Sequence, residues 1–185
     1  SVGTFLGEKS GDNPISSLDA GERKIATPFN KNIHTSKPAG DEKTARELLL
    51  KNERVKINKS ACASAKQENC TNLAGIGETV VQKTAAIQKA CNCQIIITGG
   101  TEPGHATHGE GRNTVDYRSR QDDNQKSNEL TTYLFSLAKE GEAEVVPTKI
   151  GIEIRLNNGD VFRHEYTNTR RAHWHAIYTN KPLEQ

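Results

Sequence analysis

The stretch Gly151–Tyr166, GIEIRLNNGDVFRHEY, decides the fold class. It holds two runs of alternating polarity, Gly151–Leu156 and Asp160–Tyr166, separated by Asn158–Gly159. Residues two apart on a strand share a face, so each run predicts a half-buried strand. Asn-Gly suits the tight turn of a hairpin, whose central residues need positive φ. Two further strands are expected around this hairpin, Val145–Val146 before it and His173–Tyr178 after it. Upstream the period changes. Leu130, Tyr133, Leu134 and Leu137 recur at helical spacing within Gln125–Glu140, and Gly141 suits a helix C-terminus.

Toward the N-terminus, Ile76, Val80, Thr84 and Ile87 form one apolar stripe and predict a helix over about 73–90. Gln94–Thr98, centred on Ile95, Ile96 and Ile97, reads as a buried strand ended by Gly99 and Gly100. Asp41 is a candidate cap for a short helix through about Asn52, with Val55–Asn58 as a short strand. Thr101–Tyr117 is Gly- and His-rich with little core character. Residues 1–40 carry no sustained period and read as a polar arm or linker. Helices come first and strands mostly last. The expectation is an α+β domain over 41–185: a small antiparallel sheet packed with about three helices, preceded by an extended N-terminal arm.

Composition narrows the function. The 185 residues have a net charge of +2 and 33% hydrophobic content, with a mean hydropathy of -0.75. This balance gives no reason to expect nucleic acid or an anionic membrane as partner. No apolar run approaches the ~18 residues of a membrane span. There is no methionine, and Ser1 opens no charged-then-apolar leader. That leads us to expect a processed secreted chain or a fragment. The four cysteines, Cys62, Cys70, Cys91 and Cys93, are an even number in a polar chain. They point to disulfides and a secreted, periplasmic or cell-surface location, and their spacing is not a standard zinc spacing. Three pairings are open. Asn58-Lys-Ser60 and Asn69-Cys-Thr71 match the glycosylation sequon, which matters only in a eukaryotic secretory setting.

The chemistry concentrates in two motifs. His105, His108 and Asp116 lie in GHATHGEGRNTVD, and His173 and His175 lie in AHWHAIY. On a strand His173 and His175 project together, while Trp174 and Tyr178 face the other way into packing. Gly109 and Gly111 let the first motif turn sharply, so that His108 and Asp116 converge. Each motif alone also reads blandly, as an edge-strand histidine pair or a Gly-rich loop. Together they offer two nitrogens and one oxygen, the donor set of a catalytic zinc with one open position.

HGEGR at 108–112, VD at 115–116 and AHWH at 172–175 resemble the zinc D-Ala-D-Ala carboxypeptidase and L-Ala-D-Glu endopeptidase family. The hedgehog amino-terminal domain shares that fold, and its pattern is the nearer match. ITGGTEPGHA at 97–106 resembles the strand and loop before the first ligand in small exported bacterial members. The likeness covers about residues 45–178. It implies a hedgehog/DD-peptidase-like fold with His108, Asp116 and His175 as zinc ligands. It implies His173 at the reacting carbonyl and its oxyanion, and His105 beside it or supporting a ligand.

The chain departs from the family in three places. Asp116 follows His108 by eight residues, where the family has seven. The substrate-binding arginine after the Gly-rich strand end is replaced by Gly99–Gly100–Thr101. The acid usually found three to six residues before the last histidine is absent, since those positions hold Thr169, Arg170, Arg171 and Ala172. Glu165 is the nearest acid and takes the role of general base if residues 166–172 loop away. Arg170 and Arg171 are candidates for an anionic substrate group, or simply a solvated turn. The expected function is a zinc metallopeptidase acting on peptidoglycan peptide amides. The alternative is a catalytically inactive zinc-containing binding or assembly module of a surface appendage or particle. It would hold another extracellular protein, or a copy of itself, through residues 1–40. A disulfide-bonded adhesive protein without metal is a third reading.

Overall fold

The computed structural model describes residues 22–64, 66–102, 109–121, 126–165 and 172–183, with Glu165 described by its backbone alone. The domain is α+β. In chain order its elements are α1 (Glu42–Leu50), β1 (Val55–Ile57), α2 (Glu78–Cys91), β2 (Ile95–Gly99), β3 (Thr114–Arg118), α3 (Glu129–Lys139), β4 (Ala143–Thr148), β5 (Gly151–Leu156), β6 (Val161–Glu165) and β7 (His173–Ile177). The strands form one seven-stranded sheet in the order β1-β2-β3-β7-β6-β5-β4. The sheet is therefore larger than expected. It is also mixed, because β1 pairs parallel with β2 while the other neighbours are antiparallel.

Local chemistry accounts for the element ends. The Asp41 side chain accepts from the Thr44 amide at 2.8 Å, and Asn128 accepts from the Thr131 amide at 3.0 Å. Both satisfy an orphan donor of the first turn. The helix expected over 73–90 begins five residues later, at Glu78. Ile76 instead spends its carbonyl on the Ala39 amide at 2.8 Å. Asn158–Gly159 closes the β5–β6 hairpin, with Gly159 at φ +100°. The main surprise is β3. The segment expected to lack core character supplies a central strand whose Val115 and Tyr117 are both fully buried.

The sheet has two faces with different chemistry. One packs on the helices. Tyr117 on β3 shares a hydrogen bond with Thr84 of α2 at 2.7 Å, and the Trp174 indole donates to Thr131 of α3 at 2.8 Å. Phe162, Ile154, Leu130 and Leu134 complete that core. At roughly 1.5–3 kcal/mol for each large apolar side chain removed from water, this layer dominates the favourable side of folding. Tyr117 and Tyr178 also share a hydrogen bond at 2.8 Å, and burial pushes both phenols above their ordinary range. Both stay neutral and structural.

The opposite face is polar and is crossed by the described part of the N-terminal arm. Pro28 biases Thr27 toward extended backbone. The Thr27 amide donates to Glu153 at 2.9 Å, and its hydroxyl does so at 2.7 Å. The Arg163 guanidinium donates to the Thr27 carbonyl, and Arg155 donates to the Ile25 carbonyl at 2.9 Å. Farther along, Ser36 donates to the Asn113 side chain at 2.6 Å, and Thr35 bridges to Arg112. Residues 22–40 thus lie along their own domain.

Two disulfides are present, Cys62–Cys70 and Cys91–Cys93. Among the described residues no helix is long and apolar enough to cross a membrane.

A buried ion pair ties the β5–β6 turn to α2. Lys83 meets Asp160 at 2.6 Å, with both side chains almost wholly out of water. Asp160 also accepts from the Thr179 amide at 2.8 Å, and Asn158 donates to it at 3.0 Å. Removing one partner strands a buried charge. Asp160→Ala should lower unfolding free energy by about 3–5 kcal/mol in urea titration; a loss under ~1 kcal/mol would mean that water screens the pair.

Glu153 makes a pH-dependent prediction. Burial alone would raise its carboxyl, but hydrogen bonds from Thr27, Arg163 and Arg155 hold it below the ordinary 4.5. Since the folded value is depressed, the stabilisation is complete above pH 4.5 and is lost as pH falls through the lower folded value. Amide exchange at Thr27 should therefore lose its protection on acidification before the protection of β5 and β6 collapses.

Candidate functional site

The site is set by the pairing of β3 with β7. Asp116 stands directly opposite His175, and Arg118 opposite His173. Directly opposed residues share a face, so all four belong to the polar face. Trp174, between the two histidines, is fully buried on the helix side. The expected division of the AHWH segment therefore holds.

Asp116 is the hub. Its Oδ1 lies 3.0 Å from His175 Nδ1, and its Oδ2 lies 3.7 Å from His173 Nε2. The first distance is a hydrogen bond and the second is longer than one. Asp116 is nearly buried, while the His173 side chain is 42% exposed. A buried carboxylate needs polar partners to offset lost hydration, and the His175 imidazole is one.

Room for the carboxylate comes from Gly99, its partner on β2. A Cβ there would stand 2.5 Å from Asp116 Oδ2. A Cβ on Gly100 would meet the Asn72 carbonyl closer still. The Thr101 hydroxyl is turned inward, donating to the Ala74 carbonyl at 2.9 Å. The first two positions of this segment, Gly99 and Gly100, have no space for a side chain.

A cleft of about 770 Å³ opens beside the pair. Asp116, Arg118 and His173 line it together with Lys59, Asn69 and Cys70 of the cysteine-bearing loop. Glu102 also lines it, accepting from the Gly100 amide at 2.8 Å and the Asn72 amide at 3.1 Å. The cleft therefore carries both signs of charge and one accessible imidazole.

No family model, curated protein or solved structure matches the chain. The zinc-peptidase likeness rests on the motif residues.

Of the predicted site residues, Asp116, His173 and His175 are brought together. His105, His108 and Arg170 lie outside the described residues, as does the side chain of Glu165. The Glu165 backbone ends β6, paired with Gly151. Among the described residues no group of three His, Cys, Asp or Glu side chains is arranged to hold a metal ion.

Whether the two described ligand candidates suit zinc is a question of donors and spacing. They offer one nitrogen and one carboxylate oxygen, both ordinary zinc ligands. Two ligand atoms about 2.0–2.1 Å from a tetrahedral ion stand about 3.3 Å apart. The observed 3.0 Å between His175 Nδ1 and Asp116 Oδ1 is near that value. The pair has the donor types and nearly the separation that zinc needs, and its shared hydrogen bond must open before both atoms can ligate one ion.

Arg118 and Lys59 escaped the sequence reading. The available signal was strand parity for Arg118, two residues from Asp116. Lys59 had none, because it reaches the cleft through the fold of the cysteine loop.

Gly99→Ala should displace the Asp116 carboxylate and lengthen its bond to His175. The expected cost is about 1–3 kcal/mol of stability, with a shift of the His175 ring nitrogens in NMR spectra. Unchanged His175 signals would show that the carboxylate has room to spare.

Proposed function

We propose that this chain is a zinc-holding hydrolase domain, with His108, Asp116 and His175 as ligands, that cuts peptide amides of peptidoglycan. The observation that carries the reading is the Asp116–His175 pair. Two residues 59 apart in sequence are opposed across β3 and β7 with their donor atoms 3.0 Å apart, beside an open cleft. A zinc ion there would supply Lewis acidity toward a carbonyl and bring the pKa of water toward ~7.

The chain's own groups take the remaining roles. His173, exposed at the cleft beside Asp116, is suited to donate a hydrogen bond to the carbonyl oxygen as negative charge develops there. Glu165 lies two positions along β6 from Arg163, the Cα partner of His175. It is the proposed proton acceptor and donor. The two disulfides support a secreted, periplasmic or cell-surface setting. Another extracellular protein is the partner of the second reading. That reading keeps the ion without turnover, and it is favoured by the absence of any acid among residues 169–172.

Metal analysis after metal-replete purification should find about one zinc per chain, with near-zero content in Asp116→Ala and His175→Ala. Wild-type zinc near zero sinks both readings. With zinc present, the chain should release amines from isolated cell-wall peptides, and Glu165→Ala should slow this by about 10²–10⁴-fold. Zinc without amine release leaves the assembly module as the function.

A further inference from the structure

A buried polar cluster lies between α2 and the β5–β6 turn and shares no residue with the cleft. Its members are Lys83, 5% exposed, Asn158, 6% exposed, and Asp160, fully buried. The ion pair accounts for Lys83 and Asp160. It gives no reason for the amide of Asn158 to be turned into the same cluster.

One oxygen joins the three. Asp160 Oδ2 accepts from Lys83 Nζ at 2.6 Å and from Asn158 Nδ2 at 3.0 Å. Asp160 Oδ1 is held by the Thr179 amide at 2.8 Å and its hydroxyl at 3.1 Å. The carboxylate therefore keeps Oδ2 toward the lysine and the side-chain amide. The Asn158 carbonyl oxygen accepts from the Asp160 backbone amide at 2.9 Å, which draws electrons from Cγ. The Pro182 carbonyl accepts from Asn158 Nδ2 at 2.9 Å, and the Lys181 carbonyl accepts from Lys83. The buried Tyr178 ring stands 5.6 Å from the Lys83 nitrogen.

An amine, an amide carbon and a shared proton carrier are the parts of an amide exchange. We propose that the folded chain joins Lys83 to Asn158 by an intramolecular amide bond, with Asp160 as the catalytic acid and base. The described geometry is that of the reactants. Two donors on one oxygen stand about 4–5 Å apart, and Cγ is one bond from Nδ2. A small swing of the flexible lysine brings its nitrogen to the ~3–3.5 Å from which attack proceeds.

The step balances without a co-reactant. Asp160 takes one proton from the Lys83 ammonium, a transfer that removes two charges stripped of their hydration. The freed amine attacks Asn158 Cγ, and the new N–C bond leaves an oxyanion on the Asp160 backbone amide. Asp160 hands its proton to Nδ2 and takes a second from the attacking nitrogen. The Cγ–Nδ2 bond breaks, and ammonia leaves with that second proton as ammonium. Nothing is oxidised or reduced. Exclusion of water protects the new amide from hydrolysis. The link fastens α2 to the β5–β6 turn.

The test weighs the full chain by mass spectrometry, denatured and reduced, after the folded protein has been incubated. Wild type should be lighter than its sequence by one ammonia. Tryptic digestion should leave Lys83 uncut and joined through its side chain to the peptide that holds Asn158. Lys83→Arg keeps a cation beside Asp160 and should show the full mass. Asp160→Asn should slow the loss by about 10²–10⁴-fold, the scale of general acid–base catalysis.

A rival route also releases ammonia, namely attack by the Gly159 amide on Asn158 to give a cyclic imide. That product leaves Lys83 cleavable and persists in Lys83→Arg. Finding it in place of the branched peptide overturns the proposal. So does a wild type that keeps its full mass after prolonged incubation. Loss of water with Lys83 joined to Asp160, or a folded Asp160→Asn that links as fast as wild type, overturns it equally.

Discussion

The pairing of β3 with β7 governs both the core and the site. In this register Tyr117 lies opposite Trp174 on the helix side, and Asp116 lies opposite His175 on the polar side. A slip of one residue would move every side chain of β7 to the other face. Trp174 would then leave the core, and the two histidines would enter it. The indole's hydrogen bond to Thr131 and the packing of Trp174 against Phe135 and His164 oppose such a slip. The hydrophobic layer thus fixes the geometry of the polar one, although the two share no side chain.

Much of this was legible because it is periodic. The β5–β6 hairpin announced itself by alternation around Asn158–Gly159. The AHWH segment encoded its own parity, with Trp174 inward and His173 and His175 together. β3 was harder. Its alternation, Val115 and Tyr117 against Thr114, Asp116 and Arg118, is only five residues long and follows a glycine-rich run, so it merged with the loop before it. The parallel pairing of β1 with β2 leaves no local mark. The arm was illegible for a different reason. Residues 23–27 are held by groups on β4, β5 and β6 more than a hundred positions away, largely through backbone atoms. Backbone recognition leaves little trace in residue type, and so the segment read as an unattached linker.

The departures from the peptidase pattern look different once the packing is known. Gly99 and Gly100 are where the family's arginine would be expected, yet each is hemmed in, by Asp116 and by the Asn72 carbonyl respectively. The absence of a side chain at Gly99 leaves space on the neighbouring strand for the Asp116 carboxylate. The cleft has cations of its own in Arg118 and Lys59, which come from a different strand and from the cysteine loop. An anionic group entering the cleft would therefore meet positive charge from another direction than the family pattern implies.

The clamp at Glu153 bears on how an N-terminal arm could join one molecule to another. Residues 22–40 spend their hydrogen bonds in cis: Thr27 on Glu153 and Arg163, Ile25 on Arg155, Thr35 and Ser36 on residues around β3 and β7. The larger aliphatic side chains of this stretch contribute little, with Ile25 77% and Ile33 49% exposed, whereas Phe29 packs under the Arg112 guanidinium. A contact built from hydrogen bonds loses little when an identical contact replaces it, because each modest net gain is recovered in the new pairing. For this stretch to grip a neighbour, the clamp must first empty, and then a second copy's Thr27 must refill it. Assembly through these residues would be an exchange of arms between like domains. Each domain would keep its Glu153–Arg163 pair satisfied.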